Sequence, residues 1–154
     1  MSEVLNTGGT HDRLCHGVNI VTASHEGKRA GLAVAWACQV GGQRILVTVG
    51  PQSHTRELIE ASGAFGLTVL RSGQQDIGRT FGLHHSGDVD KFEGLEVLTA
   101  ETGSPLLRRC PAWFDCRVTH TFEVGRTKLF VGEIVASGAD VTEFVPLVYR
   151  GDEY

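Results

Sequence analysis

Residues 112–137 read AWFDCRVTHTFEVGRTKLFVGEIVAS, and this stretch decides the fold class. Ala112–Glu123 alternates, with Trp113, Asp115, Arg117 and Thr119 on one side and Phe114, Cys116, Val118 and His120 on the other. A period of two with one more apolar face is a half-buried strand. Gly125-Arg126 turns the chain, and Lys128–Ser137 forms a second long strand. Two long strands with no helix between them make an antiparallel pair. Strand–helix alternation therefore fails in this third of the chain, and a doubly wound α/β sheet is disfavoured. Leu147–Tyr149 is a candidate last edge piece.

Upstream, Val18–Ser24 (VNIVTAS) and Gly31–Cys38 (GLAVAWAC) flank the polar turn HEGKR and read as a strand hairpin. Arg44–Val49 is a third strand, ended by Gly50-Pro51. In SHTRELIEASGAF the period changes. Leu58, Ile59 and Ala61 share one helical face, and Gly63 is placed to stop the helix. Phe65–Leu70 returns to strand. Ser72 with Gln75 three residues later has the capping-box pattern, which predicts a helix from there to about Phe81, with Ile77 and Phe81 on one face. GLHHSGDVDKFEG is a polar loop leading to a weak strand around Glu96–Ala100. Six or seven strands with two short helices predict a mainly β fold, a small barrel with helical plugs, in one domain over residues 1–154.

The composition narrows the function classes. The chain has 154 residues and a formal net charge of −4, with 41% hydrophobic and 21% charged residues, as an ordinary soluble domain does. No basic cluster argues for nucleic acid, no apolar run is long enough for a membrane span, and the polar N-terminus shows no signal peptide. A cytoplasmic location is expected. The 20 glycines are spread along the chain and fit a turn-rich β fold. Cys15, Cys38, Cys110 and Cys116 lack metal-ligand spacing and read as reduced thiols, although a Cys110–Cys116 pair is conceivable.

The chain has no nucleophile elbow, zinc-protease motif, phosphate-binding GxxxxGK[ST] or GxGxxG. His84-His85 reads as part of a solvated loop rather than as a ligand pair. The segment SHTRE opens the first helix, where free amides and the helix dipole favour an anion. Ser53 and Thr55 add hydroxyls there. Arg56 adds a cation that opposes the dipole unless a phosphate is bound. Plain capping by Ser53, with Arg56 solvated and offset by Glu57, explains the same residues. Ala33–Val40 carries small side chains that let a planar ligand approach the strand backbone, or that simply pack on a helix. Cys38 in this strand could touch such a ligand, although a lone apolar-strand cysteine is ordinarily a small buried hydrophobe.

Taken in order, HGVNIVTA, the small-residue strand, QSHTRELIEASGAFGLTVL, IGRTFG, SGDVDKFEG, KLFVGEIV and PLVYRG resemble the flavin reductase-like family with an FMN-binding split β-barrel. The likeness extends from about Cys15 to Tyr149, and the DVDKF loop resembles the flavin module related to high-molecular-weight rubredoxins. The resemblance implies a homodimer binding FMN (or FAD) near its interface and drawing electrons from NADH or NADPH. The implied acceptor is a small redox substrate or a redox protein. It places Ser53, His54, Thr55 and Arg56 in the phosphate-binding turn. Ala35, Trp36, Ala37, Cys38 and Gln39 would face the flavin ring, and Asp90, Lys91 and Phe92 would lie in a loop near the cofactor. Ala30, the short Gly41-Gly42-Gln43 segment and the bulky Trp36 depart from the family's usual pattern. Three readings follow: an NAD(P)H-dependent flavin oxidoreductase, an FMN electron carrier serving a protein partner, and a split-barrel module that has lost flavin and holds another ligand such as haem.

Overall fold

The computed structural model describes residues 13–150, so the polar N-terminal tail read above lies outside the described residues. Eleven elements follow in order: β1 (Asn19–His25), β2 (Lys28–Val34), β3 (Ala37–Gln39), β4 (Arg44–Val49), α1 (His54–Ser62), β5 (Ala64–Val69), α2 (Gln75–Leu83), β6 (Val97–Leu98), β7 (Leu106–Leu107), β8 (Ala112–Val124) and β9 (Thr127–Gly138). Seven strands form one antiparallel sheet in the order β2-β1-β5-β8-β9-β4-β3, and β6 pairs with β7.

One expected strand is in fact two. Gly31–Cys38 breaks at Ala35 and Trp36, so that β2 pairs with β1 at one end of the sheet while β3 pairs with β4 at the other. Only these two residues join elements at opposite ends of the strand order. The sheet must therefore curl until its edges approach each other, which gives a barrel split between the edge strands β2 and β3. Nothing in the local apolar pattern marks the break, because it is imposed by closure of the sheet.

Val21, Val47, Ile59, Phe65, Cys116 and Phe130 fill the barrel, and a second cluster of Val18, Ile20, Leu70, Phe81, Phe92 and Leu147 lies under α2. α1 follows its sequence signals. The Ser53 hydroxyl accepts from the Arg56 amide at 3.2 Å, and Gly63 adopts φ 68° while its N–H donates to the Ile59 carbonyl at 2.8 Å. α2 does not start at Ser72. It begins at Gln75, and its cap residue Gln74 makes no side-chain cap bond. The Gln74 side chain is used elsewhere: its Oε1 accepts from the Arg71 amide at 3.0 Å and its Nε2 donates to the Arg109 carbonyl at 3.2 Å. The Ser72 amide donates to the Val145 carbonyl at 2.8 Å, which ties it to the C-terminal segment instead of a capping box.

Asp115 also departs from the expected alternation. A register shift between Asp115 and Cys116 lets both face inward, each with no exposed surface. The buried carboxylate accepts from the Glu101 and Thr102 amides, each at 2.8 Å, and from the Thr102 hydroxyl. Burial, with Asp115 beside it, pushes the Cys116 thiol up to about 12. Leu147 is buried and bonds Val18 and Leu70, yet this segment makes only the isolated bridges of Pro146 with Arg71 and of Val148 with Gly17 rather than a strand. All four cysteines are free. Cys38 is exposed rather than the small buried hydrophobe its strand suggested, because it lies on the edge strand β3. Among the described residues no helix is long and apolar enough to cross a membrane.

Candidate functional site

The N-terminus of α1 opens into a cavity of about 190 Å³ whose wall combines polar side chains with Leu32, Ala33, Pro51 and Phe81. Ser53, His54 and Thr55 form one side, and Ser86 and Lys91 reach it from the loop after α2. Thr55 and Lys91 are 1% and 5% exposed, so both belong to the body of the protein rather than its surface. The Lys91 ammonium donates to the Gly31 carbonyl at 2.8 Å and to the Phe81 carbonyl at 3.0 Å. Phe81 lies in the last turn of α2, where carbonyls lack helical partners, so Lys91 caps that helix while fastening it to β2. None of the ion pairs among the described residues involves Lys91, and burial pulls its pKa down to about 8. The cavity wall thus contains a buried cation with no acidic partner beside free helix amides. That donor set is suited to a phosphate.

Gly31 is needed where these elements meet. A Cβ there would come within 2.7 Å of the Phe81 ring, so only glycine lets α2 lie this close to β2. Its amide donates to the Ser86 hydroxyl at 3.4 Å, and its carbonyl accepts from the same hydroxyl at 3.1 Å. Backbone groups alternate in direction along an antiparallel strand. The amide and carbonyl of Ala33, like those of Gly31, therefore face the open edge of β2, away from β1.

Ala33 and Leu32 also line a second, mostly apolar cleft of about 220 Å³, with Val18, Val34, Ala35, Trp36, Thr48, Gly50, Thr127 and Tyr149 around it. Each cavity alone is smaller than the roughly 300–1,000 Å³ of a drug-sized ligand site. With Leu32 and Ala33 common to both, they form a groove along the open edge of β2, with the hydroxyls, imidazoles and the Lys91 ammonium gathered at the α1 end. Such a groove suits a ligand with an anionic tail and a flat ring. The outward backbone of Ala33 is available to the polar edge of that ring. Trp36 is 57% exposed and stands in the cleft wall without filling it.

The residues anticipated from sequence are divided by this geometry. Ser53, His54, Thr55 and Lys91 meet at the polar end, and Ala35 and Trp36 meet at the apolar end. Ala37, Cys38 and Gln39 line neither cavity, because the strand break carries them to the far edge of the sheet. The Gln39 amide there bonds the Gly42 carbonyl at 2.7 Å. The guanidinium of Arg56 is directed away from the polar cavity: Nε bonds Glu60 at 3.1 Å and Nη1 bonds the Arg126 carbonyl at 3.2 Å. Lys128, at 2.9 Å, and then Arg56 hold the Glu60 carboxyl below its ordinary range. Arg56 is thus offset by Glu60, and Glu57 instead faces His54 at 3.3 Å. Asp90 pairs with Arg29 at 3.2 Å beside a separate polar hollow. Phe92 is buried, edge-on to Phe81 at 5.2 Å between centroids, with Arg29 over its face at 4.6 Å. His84 and His85 are exposed and also line the polar cavity. Sequence reasoning missed Gly31, Leu32, Ser86 and Tyr149, and it reached Ala33 only as the start of the small-residue strand Ala33–Val40. The glycine beside those small residues was the available signal for Gly31.

Residues 11–154 match the flavin reductase like domain family. A ferric-chelate reductase (NAD(P)H) from Archaeoglobus fulgidus is 33% identical over 128 residues, covering 80% of this chain and 75% of that protein. An FMN reductase (NADH) RutF from Pseudomonas syringae pv. syringae is 30% identical over 147 residues, covering 92% and 79%. In three dimensions, flavoredoxin from Methanosarcina acetivorans superposes with a TM-score of 0.81 at 26% identity, over 90% of this chain and 82% of that one. The curled split-barrel sheet, the two short helices and these matches agree, and the chain belongs to the flavin reductase-like family.

Proposed function

We propose that the chain binds FMN along the edge of β2, with its phosphate at the N-terminus of α1 and its ring in the apolar cleft. In this reading the protein is an NAD(P)H-dependent flavin reductase. The observation that carries the reading is the buried Lys91 ammonium, with no acidic partner, in the wall of a polar cavity that continues into an apolar one. Ser53, Thr55 and the α1 amides would hold the phosphate with it. Leu32, Ala33, Val34 and Trp36 would hold the ring. A bound flavin would supply the redox chemistry, taking electrons from the reduced pyridine nucleotide and releasing them to an acceptor. The protein then needs no nucleophile of its own. Its residues bind and orient the ring and exclude water from the face against β2. The named activities of the Archaeoglobus and Pseudomonas relatives support the same reading.

We further infer that the active unit is a homodimer. The β8–β9 ribbon exposes Phe122 at 53% and Val124 at 64%, next to the turn that brings Thr127 into the apolar cleft. A second copy covering that apolar patch would also border the cleft. The free thiols, two of them exposed, fit a reducing compartment such as the cytoplasm.

The test is a visible absorption spectrum of the purified protein with FMN, with FAD, and then with NADH or NADPH. A flavin spectrum that bleaches with pyridine nucleotide is expected. Bound flavin that stays oxidised with both nucleotides would overturn the reductase reading in favour of a carrier reduced by a protein. A protein that binds neither flavin would overturn the cofactor assignment.

A further inference from the structure

The groove continues past the N-terminus of α1. A hollow of about 350 Å³ lies there, lined by Arg29 and by residues 86–92 of the loop after α2, and it shares Ser86 and Lys91 with the α1 cavity. At this size it falls in the range of small-ligand sites. Three spaces therefore follow one another along β2: Val34 lines the apolar cleft, Gly31 the α1 cavity and Arg29 the hollow. The hollow contains a flat surface that is already fixed in place. The Arg29 guanidinium lies 4.6 Å over the centre of the Phe92 ring, and Phe92 is buried edge-on against Phe81. Asp90 holds this stack from the side. Its carboxylate accepts from Arg29 Nη2 at 3.2 Å and from the Phe92 amide at 3.1 Å. An ion pair at the edge of a guanidinium uses its N–H groups and leaves its planar faces free for stacking. The Arg29 side chain is 44% exposed, so the face turned away from Phe92 is accessible. The exposed Asp88 carboxylate on the same lining is an acceptor of the kind that holds ribose hydroxyls.

We infer that this hollow takes the adenosine half of a dinucleotide, with adenine stacked on Arg29 and the ribose beside Asp88. The order of spaces along β2 is the order of groups in FAD: the flavin ring in the apolar cleft, phosphate at α1 and Lys91, adenosine beyond. Placing FAD there rests on the flavin reading above, whereas the adenosine stack does not. The adenosine half of NADH has the same chemistry and is the second source. Arg29 is already paired with Asp90, which leaves Asp88 to repel a further phosphate on the ribose. The subsite therefore favours a free 2′-hydroxyl over a 2′-phosphate.

The experiment compares the full-length wild-type chain with Arg29→Lys, which keeps a charge for Asp90 but has no planar face. FAD and FMN are titrated by flavin fluorescence, AMP and adenosine 2′,5′-bisphosphate by calorimetry, and KM is measured for NADH. FAD should bind about threefold to tenfold more tightly than FMN, and Arg29→Lys should remove that margin while FMN affinity stays within about twofold. AMP should lose a similar factor in Arg29→Lys, and the bisphosphate should bind wild type no better than AMP. Equal affinities for FAD and FMN, with a KM for NADH raised about threefold or more by Arg29→Lys, would assign the hollow to the pyridine nucleotide instead. AMP bound through Arg29 by a chain that takes neither flavin would overturn the flavin reading and leave the subsite standing. Should Arg29→Lys fold poorly, Asp88→Asn on the exposed loop provides a second test. It should improve the bisphosphate relative to AMP by about twofold or more. The inference is overturned by FAD, NADH and AMP that all behave alike in wild type and Arg29→Lys, by a bisphosphate that binds wild type more tightly than AMP, or by an Asp88→Asn variant that leaves their ratio unchanged.

Discussion

At the N-terminus of α1 the groove gathers hydroxyls, imidazoles and the Lys91 ammonium in a tightly bonded wall, whereas at Trp36, itself 57% exposed, its side chains are mostly aliphatic and aromatic. The polar end is assembled from β2, α1, the last turn of α2 and the following loop, fastened by Lys91 and Ser86 to the single residue Gly31. Side chains of β2 and its neighbours make up most of the apolar end, where packing rather than hydrogen bonding decides what fits. Affinity for a phosphorylated ligand should therefore reside at the first end and tolerance of ring shape at the second. Substitutions at the two ends should separate FMN from riboflavin, which lacks the phosphate.

The largest effect is expected from replacing Ser53 with Ala and Thr55 with Val together. Two polar contacts to a charged group, at roughly 1.5–3 kcal/mol each, amount to a loss of about a hundredfold or more in FMN affinity. Riboflavin affinity should stay unchanged, as read by quenching of flavin fluorescence. Ser53→Ala alone should also lower stability by about 1 kcal/mol through loss of the α1 cap, measurable by urea denaturation.

Next in size is Lys91→Met, with an expected loss of roughly tenfold to a hundredfold for FMN. Wild-type pH dependence sharpens this. The Lys91 charge is present below about pH 8 and is lost above it, so FMN binding should weaken as pH rises through that value, and Lys91→Met should flatten the profile. Stability should move the other way. Between about 8 and the ordinary lysine value of 10.5 the unfolded chain binds more protons at this residue, so its contribution to stability rises with pH. Opposite slopes for binding and folding, measured on one preparation, would identify Lys91 as the titrating group.

Trp36→Ala tests the apolar end. Loss of an aromatic contact of roughly 0.5–1.5 kcal/mol should weaken FMN and riboflavin alike, by about twofold to tenfold. Arg56→Gln should have the smallest effect, less than about twofold on FMN. Its guanidinium is held by Glu60 and Arg126, and ion pairs of this partly exposed kind contribute roughly 0–1 kcal/mol.

What the sequence made legible follows from how local each interaction is. Both ends of α1 rest on chemistry within three or four residues, Ser53 on the Arg56 amide and Gly63 on the Ile59 carbonyl, and both were readable. The long β8–β9 pair was equally plain from alternation. The break at Ala35-Trp36 was hidden because closure of the whole sheet imposes it on a continuous run of small apolar residues. Asp115 was assigned to the polar side because a register shift leaves no mark on the pattern. The bond from the Arg56 guanidinium to the Arg126 carbonyl was equally hidden, because the two residues lie 70 apart in the chain. Lys91 entered only through family resemblance. Its burial between Gly31 and Phe81 depends on three elements meeting, which no stretch of sequence displays.

The measurement that bears most directly on the account is a pair of fluorescence titrations of the wild-type protein, one with FMN and one with riboflavin, at neutral pH. The account predicts that FMN binds about a hundredfold more tightly, because the phosphate engages Ser53, Thr55 and the Lys91 charge at the N-terminus of α1. Equal affinities would contradict it, since the polar end of the groove would then contribute nothing to holding the ligand.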